Sequence, residues 1–197
     1  MDIEYGLKWY KCDFHLHTVG SECFEDKTIT AKEWVEKAIA KNLDCIAITD
    51  HNTGVSIDEI KKEAENKSLI IFPAVEITCD TSKIHLLILF DVDKSSEDVN
   101  DFLIKCDIDR SKFGKQDAYT SKSVLEVAKI ADANGCVIIP AHIDEYNGLS
   151  SLSNDILNEF LNLPYINAVQ FVHENFLESN LIITENSDLK KYFDEYY

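Results

Sequence analysis

The 197-residue sequence has little glycine, little proline and few positive charges. Six glycines and three prolines exclude a collagen-like or low-complexity chain. Lysine and arginine total 19 against 36 aspartates and glutamates, which gives a formal charge of -17. A basic surface for nucleic acid or for an anionic membrane is therefore absent globally. A nucleic-acid substrate would need a local basic patch, a bound cation or both.

Long apolar runs and CxxC cysteine pairs are also missing. No apolar run approaches the length of about 18 residues that a membrane span requires. The first residues contain no apolar segment of the secretion-signal type, and the six cysteines are scattered. These features predict a cytoplasmic protein with reduced thiols and no membrane partner. With 45% hydrophobic and 28% charged residues, the chain is expected to form a single domain over residues 1–197.

Short apolar runs alternate with amphipathic segments along the chain. The runs predict strands at 11–17, 44–49, 69–78, 84–90, 136–141 and 166–172. The amphipathic segments predict helices at 30–42, 56–66, 98–106, 123–134, 154–163 and 188–196. Capping boxes at Thr30-x-x-Glu33 and Ser56-x-x-Glu59 support the first two helices. This alternation predicts βαβ units and an α/β fold with a mostly parallel sheet or barrel.

Five of the six histidines lie beside predicted strands. His15 and His17 are alternate residues of the first strand, so both imidazoles point to one face. His51 and His142 follow two other apolar strands, and ligand sites of parallel α/β folds collect at the carboxyl ends of strands. Imidazole binds zinc, iron and manganese, but surface or core histidines could give each pattern singly. His173 is predicted to be structural.

A charged residue interrupts the third predicted strand. Glu76 in FPAVEIT is either an edge residue that faces water or a buried carboxylate with a partner or a metal. If strands 69–78 and 84–90 form a hairpin, His85 lies nearly opposite Glu76, with Cβ atoms about 5 Å apart. Asp13 and Asp50 are candidates to orient the neighbouring imidazoles from behind. Together, the four strand-associated positions predict a multinuclear metal centre.

In order and spacing, five segments resemble the PHP domain family, which is named for polymerases and histidinol phosphatase. The segments are DFHLHTVGS (13–21), AITDHN (47–52), PAVEI (73–77), IHLLILF (84–90) and IPAHID (139–144). The fuller pattern, including IPAHIDEYNGL, resembles the N-terminal PHP domain found ahead of an ATPase module in some bacterial proteins. The resemblance implies a distorted (β/α)7 barrel with two to three divalent ions, Mn, Zn or Fe, at its C-terminal mouth.

The resemblance also implies a ligand set. Its members are His15, His17, Cys23, His51, Glu76, His85 and His142. Glu76 would bridge two ions. Position 23 can hold a histidine or aspartate ligand in relatives, so Cys23 is either a thiolate ligand or a small buried residue.

One part of the family pattern is not matched. PHP domains end with an SDxH-like motif that completes two metal sites. The nearest string here is NSDLK at 186–190, with Lys190 where the histidine belongs and Asp188 opening a predicted helix. We therefore expect a barrel that is truncated at its C-terminal strand.

These features predict a metal-dependent phosphoesterase in which a hydroxide held between two ions attacks phosphorus. The expected substrate is a nucleotide or a nucleic-acid end. Arg110, Lys112 and Lys115, in a polar loop, are candidates to bind its phosphates, although such loops are commonly only solvated. Two alternatives are a small-molecule phosphatase of the histidinol-phosphatase kind and a non-catalytic PHP module that regulates a C-terminal ATPase.

Overall fold

The computed structural model describes residues 9–173, which form a mixed α/β fold around a curled sheet. The strands follow one another across the sheet in chain order. They are β1 (Cys12–Leu16), β2 (Cys45–Ile48), β3 (Ile70–Cys79), β4 (Ile84–Leu89) and β5 (Val137–Pro140). β1, β2 and β3 are parallel, whereas β4 is antiparallel to both β3 and β5. The first half of the sheet is parallel as expected, and the hairpin considered for strands 69–78 and 84–90 is confirmed as the antiparallel β3–β4 pair.

Within residues 9–173, five α-helices pack around the sheet. They are α1 (Ala31–Ala40), α2 (Ile57–Glu63), α3 (Ser96–Lys105), α4 (Val124–Ala133) and α5 (Asn154–Leu161). The capping box at Thr30 and Glu33 is confirmed. The box at Ser56 is wrong, since its side chain makes no cap bond and its Oγ instead lies 2.7 Å from Thr18 Oγ1. None of the helices that the structure describes is long and apolar enough to cross a membrane.

The two faces of the sheet have different cores. A large apolar core, which includes Val75 and Ile77, covers one face. A smaller cluster, which includes Ala47, Ala74 and Ala141, covers the other. Because strand residues alternate between faces, Glu76 lies on the same side as Ala74. The small side chains leave room on that face for a carboxylate and its partners.

The segment after α5 lies beside β5 without forming the expected strand 166–172. Ile166 makes an isolated parallel bridge with Ile138. Further along, the Gln170 N–H donates to Pro140 O at 2.9 Å, and the Ile143 N–H donates to Gln170 O at 2.8 Å. This contact brings Gln170 to the edge of the sheet where β5 ends. The expected helix 188–196 and the NSDLK string lie outside the described residues.

Candidate metal centre

The sheet brings the chemistry-bearing residues to one edge. The parallel strands end there, which places the residues at and just after the ends of β1, β2 and β5 close together. β4 runs in the opposite direction, so its beginning lies at the same edge. His85, the second residue of β4, therefore joins histidines that follow other strands.

Glu76 is the centre of the cluster, and its Oε2 atom faces three imidazoles. His15 Nε2 lies 3.1 Å from Oε2, and His17 Nε2 lies 3.3 Å from it. His51 Nδ1 lies 3.3 Å from the same oxygen. The expected convergence of His15 and His17 on one point is confirmed by these contacts.

The second carboxylate oxygen of Glu76 faces the remaining two histidines. His85 Nδ1 lies 2.7 Å and His142 Nε2 3.1 Å from Oε1. His85 pairs with Thr78 in the β3–β4 ladder, whereas Leu87 is directly opposite Glu76. His85 is therefore two positions along the strand from the residue directly opposite Glu76, rather than nearly opposite it as expected. They still share a face, so their side chains meet diagonally.

The surroundings of Glu76 favour its ionised form. Burial alone would raise the pKa of this carboxyl group, which is 1% exposed, but hydrogen bonds from the imidazoles hold it well below its usual range. Burial, reinforced by repulsion from His17 and His85, lowers the pKa of His51 to about 4. For His15, burial alone would lower the pKa, but the hydrogen bond and the charge of Glu76, together with Gln170 and Asp13, raise it. At neutral pH, an ionised Glu76 and a neutral His51 are the forms that bind metals.

The buried donor atoms fit divalent cations. Glu76 Oε2 and Nδ1 of His17, His51 and His142 are buried and lack a hydrogen-bond partner among the described residues. Three groups of donor atoms lie within 4.8 Å of one another. They are His15–His17–Glu76, His51–Glu76–His85 and His17–Cys23–His51. Nitrogen, carboxylate and thiolate donors in this combination suit zinc or iron, and the first two groups also suit manganese.

Asp13 and Asp50 are expected to orient imidazoles, but neither carboxylate contacts an imidazole nitrogen. Asp13 Oδ1 accepts the backbone N–H of His15 at 3.2 Å. Asp50 is fully buried, and its carboxylate accepts from the Thr18 N–H at 2.6 Å and from Thr18 Oγ1. Burial raises the pKa of Asp50, although the bonds from Thr18 oppose this shift. The two aspartates thus fix the backbone that carries the histidines.

Gln170 contacts His15 on the side away from Glu76, and no sequence pattern indicated this contact. Its Oε1 accepts the backbone N–H of His142 at 3.1 Å and lies 2.8 Å from His15 Nδ1. Since the backbone N–H is a donor, the shared side-chain atom must be the amide oxygen. His15 therefore carries a proton on Nδ1 and turns Nε2 toward Glu76. Asn147 makes a different contact, because its Nδ2 lies 3.1 Å from His85 Nδ1, the same nitrogen that faces Glu76.

The polar loop that carries Arg110, Lys112 and Lys115 lies near the metal centre. Its three basic side chains differ in whether they form an ion pair. The loop packs against the segment after β1, where the Glu22 N–H donates to Gly114 O at 2.8 Å. Arg110 pairs with Glu97 at 2.6 Å, so its charge is directed to α3. Lys112 and Lys115 are exposed and form no ion pair with another described residue. His173 lies outside the cluster and contacts Glu145 at 3.0 Å.

A family model for the PHP domain matches residues 13–197. The chain belongs to the PHP domain family. This confirms the family expected from the sequence, whereas the closeness to ATPase-linked members stays a prediction.

Solved structures of the same fold accompany the family match. A protein from Bifidobacterium adolescentis, assigned as a metal-dependent phosphoesterase, is 17% identical with a TM-score of 0.63, covering 91% of this chain and 84% of that one. The lesion-specific endonuclease EndoQ from Pyrococcus furiosus is 19% identical with a TM-score of 0.63, covering 81% of this chain and 41% of its own. An amidohydrolase from Chromobacterium violaceum is 13% identical with a TM-score of 0.53, covering 81% and 75%. No curated protein sequence matches the chain. Membership of the PHP family supports a hydrolase.

Proposed function

We propose that this PHP domain is a metal-dependent phosphoesterase that hydrolyses phosphate esters of nucleotides or nucleic-acid ends. The observation that carries the proposal is the buried carboxylate of Glu76 within 3.3 Å of five imidazole nitrogens. A structural carboxylate needs one or two partners, whereas five histidines around one glutamate form a donor set for more than one cation.

The ligands divide into two groups about Glu76. We assign His15 and His17 to an ion on the Oε2 side, and His85 and His142 to an ion on the Oε1 side, with Glu76 shared. His51 contributes to a further site with Cys23. Bound divalent ions would lower the pKa of water and neutralise charge on the phosphoryl oxygens.

The protein's own groups prepare this site in three ways. Gln170 accepts from Nδ1 of His15, which orients the ring so that Nε2 is the nitrogen that faces the centre. Asp50 and Thr18 hold the turn after β1, which keeps the His15–His17 segment in place. The ionised Glu76 provides a fixed negative charge at the position where cations are needed. Such preorganisation avoids rearrangement when a substrate binds.

The choice of a nucleotide-type substrate is supported by local positive charge. Lys112 and Lys115 are exposed on a loop that packs beside the centre, in a chain with a formal charge of -17. Phosphate contacts by such side chains would position a substrate without reading its sequence. A neighbour of the same fold is a lesion-specific endonuclease, which also favours nucleic-acid chemistry.

The test combines metal analysis with a substrate panel. We expect the purified full chain to bind divalent metal and to release phosphate, with Mn, Zn or Fe, faster from nucleotides or oligonucleotide ends than from small phosphomonoesters. Glu76→Gln should lower both metal content and turnover by about 100-fold or more, because even ligand-orienting partners contribute 10–100-fold. Glu36→Gln, an exposed residue of α1, is the matched control.

The outcomes separate the alternatives. A preference for small phosphomonoesters would favour the histidinol-phosphatase kind of enzyme. A chain that neither retains metal nor turns over any substrate would contradict the phosphoesterase and favour a regulatory module.

A further inference from the structure

A large cleft lies between β1 and α1, beside the metal centre. Its volume is about 560 Å³, and small-molecule sites typically measure roughly 300–1,000 Å³. His17 lines the cleft, and the same imidazole contacts Glu76 at 3.3 Å. His17 therefore lines the cleft and also belongs to the metal centre. A molecule in the cleft would extend away from the phosphoester that the proposed function places at the metal centre.

The wall of the cleft is apolar and contains a flat, fixed ring. Trp34 and Leu16 line it together with Phe24 and Leu43. Trp34 Nε1 donates to His17 O at 3.0 Å. This bond satisfies the polar end of the indole and sets its orientation. The rest of the ring is left as an apolar surface, of the kind on which planar groups stack.

Three lysines surround this apolar wall. Lys11, Lys37 and Lys41 all line the cleft, and Asp13 is the only acidic side chain among its lining residues. Lys37 and Lys41 lie one turn apart on or next to α1, so they share a helix face. Lys11 Nζ donates to Lys41 O at 2.8 Å, which holds this lysine at the same end. A locally positive cleft in a strongly acidic chain is complementary to an anion.

We propose that the cleft binds the leaving group of the substrate, a planar heterocycle that carries a further anionic group. The heterocycle would lie against Trp34, and the additional phosphate would meet Lys37 and Lys41. A nucleotide unit with a second phosphate, as at the end of a nucleic-acid strand, has both features. This inference rests on the proposed function, because that function places the reacting phosphoester at the metal centre beside His17.

The two tryptophans of the chain make binding directly observable. Trp9 is 90% exposed, so Trp9→Phe is expected to leave the fold intact and Trp34 as the sole indole reporter. In this background, without metal, adenosine diphosphate should quench the Trp34 emission to saturation. Glycerol phosphate, which has an anion but no planar ring, should not.

Charge removal tests the anionic contact. Lys37→Gln combined with Lys41→Gln should weaken the binding of adenosine diphosphate by about tenfold or more, because charge-assisted contacts are lost. Lys32→Gln combined with Lys129→Gln removes the same charge from exposed positions and should leave binding unchanged. With metal, the first pair should raise KM for nucleotides and leave KM for glycerol phosphate unaltered.

Failure of this inference is distinguishable from failure of the proposed function. Phosphate release by the chain together with an unchanged Trp34 emission would refute the cleft as a nucleotide site and keep the phosphoesterase. Equal weakening by both lysine pairs would show general charge attraction and would also overturn it.

Discussion

At the scale of single residues, Cys23 adds a sulfur donor to one side of the candidate metal centre. Its thiol is half-buried, and its Sγ lies with nitrogens of His17 and His51 in one group of donor atoms. His51 is only 5% exposed, and its Nδ1 lacks a hydrogen bond among the described residues. Two imidazoles and a thiolate form a soft donor set, which favours zinc, cobalt or iron over magnesium and manganese.

Loading the protein with cobalt should show whether Cys23 is a metal ligand. We expect the Co²⁺-loaded protein to show a thiolate-to-cobalt charge-transfer absorption band in the near ultraviolet. Cys23→Ser should abolish the band, and Cys136→Ser should keep it, because Cys136 precedes β5 at the end opposite to His142. A band that survives Cys23→Ser would show that Cys23 is not a ligand.

The sequence predicted the clustered residues better than their supporting contacts. The histidines and Glu76 stand out because polar side chains interrupt or end apolar strands. Gln170, Asn147 and Trp34 carry no such signal. An amide or indole becomes significant only when the fold brings it to a partner, as Gln170 is brought to His15 across 155 positions of sequence.

At the scale of elements, the turn between His142 and Gly148 is tightly fitted. His142 adopts a φ of 30°, and the Glu145 N–H donates back to His142 O at 2.8 Å. A Cβ atom on Gly148 would lie 2.2 Å from His142 O and 2.6 Å from the carbonyl carbon of Ile143. The turn therefore has a candidate metal ligand at one end and needs glycine at the other.

Substitution of Gly148 should test whether this turn requires glycine. Gly148→Ala is expected to lower the free energy of unfolding by about 3 kcal/mol and to weaken metal binding, because backbone next to His142 must shift. Gly135→Ala is the matched control, since its Cβ would meet nothing within 4 Å and only its φ of 71° is unfavourable. That variant should lose about 1–2 kcal/mol and retain metal affinity. Equal metal affinity of both variants in a titration would contradict the assignment.

Most predicted elements are confirmed, with ends that shift by a few residues. The exceptions have physical reasons. Ser56 forms no capping bond because its hydroxyl is engaged by Thr18 from the turn after β1. Residues 166–172 have a strand-like sequence, but only Ile166 and the backbone of Gln170 bond to the β5 side. Neither of these contacts can be predicted from the local sequence pattern.

At the scale of the whole molecule, the cluster links stability to pH when metal is removed. The pKa of His51 is about 4 in the folded protein, against an ordinary value of 6.5. Below pH 6.5 the unfolded chain takes up a proton at this position while the folded chain does not. Stability from this group is therefore complete above 6.5 and declines as the pH falls toward 4.

Chelated protein should show this decline in denaturant unfolding. From about pH 7.5 to about pH 5, His51 should account for a loss of about 2 kcal/mol. His51→Asn should therefore lose less stability than the wild type over the same range, by about that amount. His15, with a raised pKa, acts in the opposite direction and is common to both proteins. Parallel pH profiles would show that the burial of His51 has no such effect.

The α/β class and the PHP family could be predicted because their signals are distributed along the chain. The mixture of parallel and antiparallel pairs was less evident, since a hairpin and a crossover use similar strands. The seven-stranded barrel and its truncation stay predictions. The described residues contain five strands and two isolated bridges, and the string at 186–190 lies outside them.

The matching order of strands in the chain and in the sheet has a consequence for biosynthesis. Each new strand can pair with the one made just before it, so the sheet can grow from the N-terminus as the chain leaves the ribosome. His15, His17 and His51 would be in place early, but Glu76 and His85 come later and His142 follows at the end of β5. The candidate donor set is therefore complete only after β5 has been made. A nascent chain that stops before β5 would lack His142 and is expected to bind metal more weakly.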